Sequence, residues 1–301
     1  MSPELNLTYR HLINKVFMIF GLAAIMICLL TLLTLVVALA ISGIPHLSWD
    51  FFANFPSRFA ERAGILSAWV GTSLVLLVTA MIGIPLGVSA GIYLEEYAPK
   101  NWITNIIEIN VTNLAAVPSI IYGLLALGLF VQALGMERSI LTAGLTLALL
   151  VLPVVIVTTR EAIRAVPTSM RQAAYALGAT KWQTVWDHVL PYSTPGIMTG
   201  IIIGLARAIG ETAPLITIGA LTFIAFLPAA PISTTPPFIS FQWLSDPFTV
   251  MPIQIFNWVS RPGDDFQGNA AAAGLVLLAM TLIMNGFAIY LRFRLRRKIK
   301  W

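Results

Sequence analysis

The sequence predicts an all-α, polytopic membrane protein with about six transmembrane helices. Three observations carry that prediction. The 301 residues are 58% hydrophobic and only 10% charged, against roughly 25% charged residues in soluble domains, so the chain calls for a lipid solvent. Six apolar runs are each long enough to cross a bilayer. The basic residues are shared unevenly among the segments between those runs, which is the pattern that orients a membrane protein.

The first run is 16–41, roughly 39 Å of helix at 1.5 Å per residue. Arg10 and Lys15 precede it and Ala38-Leu39-Ala40 lies near its end, an arrangement that imitates a signal peptide. Signal-peptide cores run only about 7–15 residues, so an uncleaved first span is expected. The further runs are 65–94, 106–134, 140–159, 196–227 and 271–291. Neither an internal repeat nor a low-complexity tract nor a polar linker divides the chain, so 1–301 reads as a single transmembrane domain. Two connections exceed what joining helices requires: 160–194, and 228–269. The second is rich in proline and aromatics, including Trp243, Phe248, Phe256 and Trp258. It is expected to lie at the lipid–water interface or to cap the helices.

With both termini placed in the cytoplasm, the inner segments carry 13 of the 18 Lys and Arg residues, the outer segments carry four, and Arg207 falls inside a span. That asymmetry predicts cytoplasmic termini. The basic tail 292–300 reads as an anchor at an anionic inner leaflet, a better account of the +5 net charge than nucleic-acid binding.

Several chemistries find no support. Cys28 is the single cysteine and stands in the first run, so there is neither an internal disulfide nor a C-x-x-C pair. His11, His46 and His188 are far apart, and no metal cluster or cofactor site is visible. The nearest approach to a phosphate-cradling loop, Gly178-Ala179-Thr180-Lys181, lacks the required spacing. An intramembrane enzyme would need a nucleophile–base pair or metal ligands within the spans, and none is recognisable.

The most specific pattern lies in 160–194. Ser169 with Gln172 has the form of a capping box, and Met170, Ala173, Ala174 and Leu177 follow at helical spacing. Gly178 then suits a helix C-terminus. Thr180 with Gln183 is a second capping box, followed by Trp182, Val185, Trp186 and Val189 at the same spacing, and Pro191 is expected to stop that helix. The pattern predicts two short amphipathic helices joined at a glycine turn. By itself it fits helices resting on lipid as well as helices that dock a partner.

Gln172-Ala173-Ala174, Gly178 and Leu190-Pro191 resemble the cytoplasmic loop of ABC importer permeases. That family's pattern is Glu-Ala-Ala, three residues, Gly, nine residues, Ile, one residue, Leu-Pro. Gln172 stands here for the glutamate and His188 for the isoleucine. The resemblance implies a type I importer-like fold in which this loop is the coupling helix, with those six residues meeting an ATPase subunit. Two further stretches, 113–123 (Asn-Leu-Ala-Ala-Val-Pro-Ser-Ile-Ile-Tyr-Gly) and 205–214 (Leu-Ala-Arg-Ala-Ile-Gly-Glu-Thr-Ala-Pro), are similar to phosphate importer permeases of the Pst type. That similarity covers roughly 65–225 well. It implies a permease of a bacterial cytoplasmic membrane, working with a second related permease, two copies of an ABC ATPase and an external phosphate-binding protein. On the residues alone, a permease for another oxyanion such as sulfate or molybdate, or a secondary transporter, is the alternative.

Arg207 and Glu211 are four residues apart in the fifth run, where each charge costs roughly 2.5–3.5 kcal/mol on insertion scales. Two readings stand: a structural pair that fixes helix packing, or an arginine facing the substrate path, where a guanidinium matches phosphate oxygens. Gly196, Gly200, Gly204, Ala208 and Thr212 form a small-residue stripe that admits close helix packing. Pro214 and Pro118 are expected to free the carbonyls of Gly210 and Leu114, with Thr212 beside the first and Ser119 and Tyr122 beside the second. Arg207, Glu211, Thr212, Ser119 and Tyr122 are therefore the candidate pathway residues.

Overall fold

A computed structural model describes residues 3–231, 238, 240–261 and 264–297, and among these the regular structure is all helical. Of the basic tail, 298–300 lies outside the described residues, and of the second long connection so do 232–237, 239 and 262–263.

The first helix, α1 (Pro3–Gly43), is longer than the expected run at both ends. A short α2 (Trp49–Ala53), started by the Ser48 hydroxyl accepting from Phe51 N, leads to α3 (Leu66–Ile92). Next come α4 (Trp102–Leu114) and α5 (Ser119–Ala126), then α6 (Ile140–Arg164). Two small helices follow, α7 (Thr168–Ala176) and α8 (Lys181–Gln183), and then α9 (Leu190–Gly210) and α10 (Ala213–Thr217). The last two helices are α11 (Met251–Val259) and α12 (Gln267–Arg297). Five helical segments are long and apolar enough to cross a membrane, or six if the bent pair α4–α5 is one span.

Three elements differ from expectation. The third span is broken: α4 and α5 meet at 109°, because Pro118 takes up extended ψ and cannot continue the helix. The fifth does not run from 196 to 227. It is a rod from Lys181 through a wide-turned stretch, Thr184–Val189, into α9, and it stops at Gly210. Pro191 therefore does not end a helix; it lies inside the rod, immediately after the wide-turned stretch Thr184–Val189. Ser169 is not a cap either, since α7 begins at Thr168 after Pro167, whereas the capping box of Thr180 with Gln183 is present.

Helix α6 is the axis of the bundle and the most buried span. The stripe Gly196, Gly200 and Gly204 in α9 packs on Ala162, Thr158 and Val151 of α6, running antiparallel. A second stripe, Gly83, Gly87 and Gly91 in α3, packs on Ala148, Val155 and Thr159 of the same helix, running parallel. Without Cβ atoms at these positions the backbones approach closely enough for dispersion and weak C–H contacts to hold helices that no hydrophobic force distinguishes from lipid. Arg292 Nη1 donates to Thr199 Oγ1 at 2.8 Å and ties α12 to α9. These contacts, with Gly43 of α1 on Ala271 and Ala272 of α12 in antiparallel pairing, set the start of α1 and the end of α12 at the α7 end of the bundle.

The opposite end is closed by the second long connection. Trp243, Phe248 and Trp258 are buried there while Phe256 is exposed. Ser67 Oγ donates to Ile224 O at 2.9 Å and Met251 N donates to Thr72 Oγ1 at 2.8 Å. The connection thus caps the helices. Helix α1 stands apart: none of its most apolar window is buried, and it touches the rest mainly along α12.

Candidate functional site

Arg207 lies in the last turn of α9 and Glu211 just beyond it, in extended conformation. Gly204, one turn earlier, faces Val151 near the middle of α6, and Glu211 shares a small cavity with Leu147 and Thr72. The pair therefore stands slightly past mid-span, toward the end away from α7. Arg207 Nε donates to Glu211 Oε1 at 3.2 Å, although the helix has already ended between them. The arginine is 38% exposed and the glutamate 16%, and among the described residues the guanidinium has no second hydrogen-bond partner. The cavity beside Glu211 measures only about 10 Å³, room for roughly one water and too small for an oxyanion.

The two helix breaks stand side by side. A Cβ on Gly123 of α5 would strike Thr217 and Pro214 in α10. The Leu114 carbonyl is not free: it accepts from Val117 N at 3.1 Å and from Tyr122 Oη at 2.7 Å, so the tyrosine completes the broken span. Tyr122 is buried and within electrostatic reach of Arg207. Ser119 opens α5. Thr212 closes the gap before α10, its carbonyl accepting from Leu215 N at 3.1 Å and Ile216 N at 3.0 Å. Pro214 occupies the first turn of α10 and kinks no continuous helix. The fold thus gathers Arg207, Glu211, Thr212 and Tyr122 at two adjacent interruptions, the arrangement in which transporter sites are built. Ser119 belongs to the same break.

The second region is the loop. Gly178 has φ +82° with open space around it, a left-handed turn that suits glycine. Gln172 and Ala173 are exposed, but Ala174 is buried within the chain at 5%. The predicted apolar face is therefore divided: Ala174 turns inward while Leu177 is 91% exposed. Likewise Val185 and Val189 are buried, while Trp182 and Trp186 are exposed and stacked at 5.4 Å. Leu190 and Pro191 are half-buried and line a groove of about 710 Å³ against Pro85, Val88 and Ile92 of α3.

Sequence reasoning counted the arginines of this end only as orienting charges, and so missed an ionic network. Arg171 donates to Glu96 Oε1 from Nη2 at 2.7 Å and from Nε at 3.1 Å. It also donates to the carbonyls of Val166 (2.8 Å) and Ile163 (3.0 Å) at the end of α6. Arg164 Nη2 meets Glu95 at 2.9 Å, and the buried Arg160 meets Glu108 at 2.7 Å and Glu95 at 3.5 Å. The adjacent pair Glu95-Glu96, at the end of an apolar span, was the available signal.

A family model described as "Binding-protein-dependent transport system inner membrane component" matches residues 83–297. The chain is 33% identical to a probable ABC transporter permease of Bacillus subtilis, over 93% of this chain and 95% of that protein. It is also 33% identical to the phosphate transport system permease protein PstA of Yersinia pestis, over 92% of this chain and 88% of that one. The corresponding PstA of Mycobacterium leprae is 31% identical, over 96% and 91%. Among solved structures, a chain of a bacterial alginate ABC transporter superposes with a TM-score of 0.66 at 14% identity, covering 94% of this chain and 96% of that one. A chain of the MetNI methionine ABC transporter gives 0.55 at 18%, covering 77% and 95%. At such identities the structural likeness speaks for the fold.

Proposed function

Because the chain belongs to the family of binding-protein-dependent transport system inner membrane components, we propose that it is a permease subunit of an ATP-driven importer of inorganic phosphate. The observation that carries the substrate is the similarity to phosphate transport permeases over nine-tenths of the chain. The geometry agrees with it: Arg207 presents guanidinium donors that have no partner among the described residues, beside a cavity too small to hold an oxyanion. An exposed charge there is costly in lipid, so the surface asks for a protein partner. A second, related permease facing Arg207, Glu211, Thr212, Ser119 and Tyr122 would complete a path between the two subunits, and planar guanidinium geometry suits a phosphate oxyanion.

The whole of 1–301 acts as one permease domain in a bacterial cytoplasmic membrane. The 13-to-4 basic asymmetry supports a cytoplasmic α7 end and cytoplasmic termini. Hydrolysis of ATP belongs to two copies of a separate ABC ATPase. Gln172 and Ala173 meet that subunit, Ala174 and Gly178 shape the docking helix, and Leu190 and Pro191 seat the following rod against α3. An external phosphate-binding protein delivers substrate to the capped end.

Purification from native membranes in mild detergent, followed by reconstitution, tests the proposal. The ATPase and a second permease should co-purify, and the proteoliposomes should take up radiolabelled phosphate when ATP and the binding protein are supplied. Uptake of sulfate or molybdate in preference to phosphate would refute the substrate, and recovery of a functional chain without any ATPase would refute the class.

A further inference from the structure

We propose that Arg171 is the positioning residue that carries displacement of the docking helix α7 into the membrane spans, with Glu96 as its anchor. This rests on the reading of α7 as the helix that meets the ATPase.

Apolar contact holds α7 through the buried Ala174 and through Met170, which packs against Ile163, Val166 and Val189. Arg171 adds a polar attachment. Its guanidinium bonds Glu96 twice, at the end of α3, and takes two carbonyls at the end of α6. The fork therefore fastens one small helix to two spans at once. Arg171 and Glu96 are 18% and 8% exposed, so their charge-assisted bonds are little weakened by water.

The linkage continues. Glu95, next in sequence, holds Arg164 and Arg160 of α6, and Arg160 holds Glu108 of α4. Helix α4 ends at the 109° break, and Tyr122, just across it, closes the Leu114 carbonyl and stands near Arg207. Ionic and hydrogen bonds, linked by the backbone between Glu95 and Glu96 and by helix α4 itself, thus join α7 to the broken span α4–α5. Such networks carry coupling when the elements they join have two arrangements. Lysine would not replace Arg171, since a single ammonium lacks the planar fork that serves the carboxylate and both carbonyls together.

The test is a coupling ratio, phosphate imported per ATP hydrolysed, measured on the full complex in proteoliposomes with its binding protein. Arg171→Lys should lower the ratio by about tenfold, the factor that about 1.4 kcal/mol of lost bonding gives a two-state equilibrium. Arg171→Ala and Glu96→Ala each leave a buried charge unpaired and would reduce recovery of the complex as well. The double variant relieves that and should assemble, yet have a ratio no higher than the lysine variant. A double-variant ratio equal to wild type would overturn the proposal by showing the pair to be structural only. A wild-type ratio in Arg171→Lys would overturn it too. If the wild-type complex hydrolyses ATP and imports another oxyanion, the substrate assignment fails while the ratio remains readable with that anion.

Discussion

At the scale of single residues, Arg207 separates a structural from a transport role. Its bond to Glu211 spans a helix end, so the pair is held by the geometry of the break as well as by helical spacing. Arg207→Lys should impair phosphate uptake in an assembled complex, because charge survives while the planar donors are lost. Arg207→Gln should impair it further and leave Glu211 unpaired at depth, which is costly. The double change Arg207→Gln with Glu211→Gln removes both charges and should restore assembly; uptake should stay low, and near-normal uptake would make the pair purely structural. Tyr122 makes a simpler prediction. Tyr122→Phe deletes the donor to the Leu114 carbonyl and should destabilise the purified protein by about 0.5–1.5 kcal/mol, read as a lowered melting temperature.

At the scale of elements, the loop shows how a helical pattern can be right and its facing wrong. Spacing put Met170, Ala173, Ala174 and Leu177 on one stripe, yet α7 is only nine residues long and rolls so that Ala174 is buried and Leu177 exposed. Ala174→Arg is therefore expected to disturb the chain's own packing before it disturbs a partner, and to lower the yield of folded protein. Gly178 offers the cleaner test of the turn. Its φ of +82° with nothing nearby means that a side chain costs backbone strain only, about 1–2 kcal/mol for an ordinary L-residue. Gly178→Asn should therefore retain more coupled ATP-driven uptake than Gly178→Val, and Gly178→Pro should retain least. Equal uptake in all three would show that the turn is not needed.

At the scale of the whole molecule, the spans alternate so that the α7 loop and both chain ends share one side. In a Cys28→Ser background, a cysteine at the exposed Tyr175 should react with a membrane-impermeant thiol reagent only from the cytoplasmic side. One at Trp49, 84% exposed near the other end, should react only from outside. External labelling at position 175 would invert the topology and place the docking loop where no ATPase can reach it. Helix α1 leaves its apolar window uncovered by the rest of the chain, as expected of a helix facing lipid or a neighbouring subunit.

Composition and run length were sufficient for the fold class and for five to six candidate spans. Those properties depend on transfer of each segment between water and lipid, a local quantity readable along the chain. The stripe Gly196, Gly200 and Gly204 was legible for the same reason, as a local period. Where a span stops and what its carbonyls do instead were settled by packing: Tyr122 reaches back to Leu114, and Glu211 bonds Arg207 from beyond the helix end. The partners of the charges were likewise invisible in sequence, because Arg171 and Glu96 lie 75 residues apart. Only a fold that brings α3, α6 and α7 to one end of the bundle lets a single guanidinium bond a carboxylate and two carbonyls at once, so that linkage belongs to the tertiary structure.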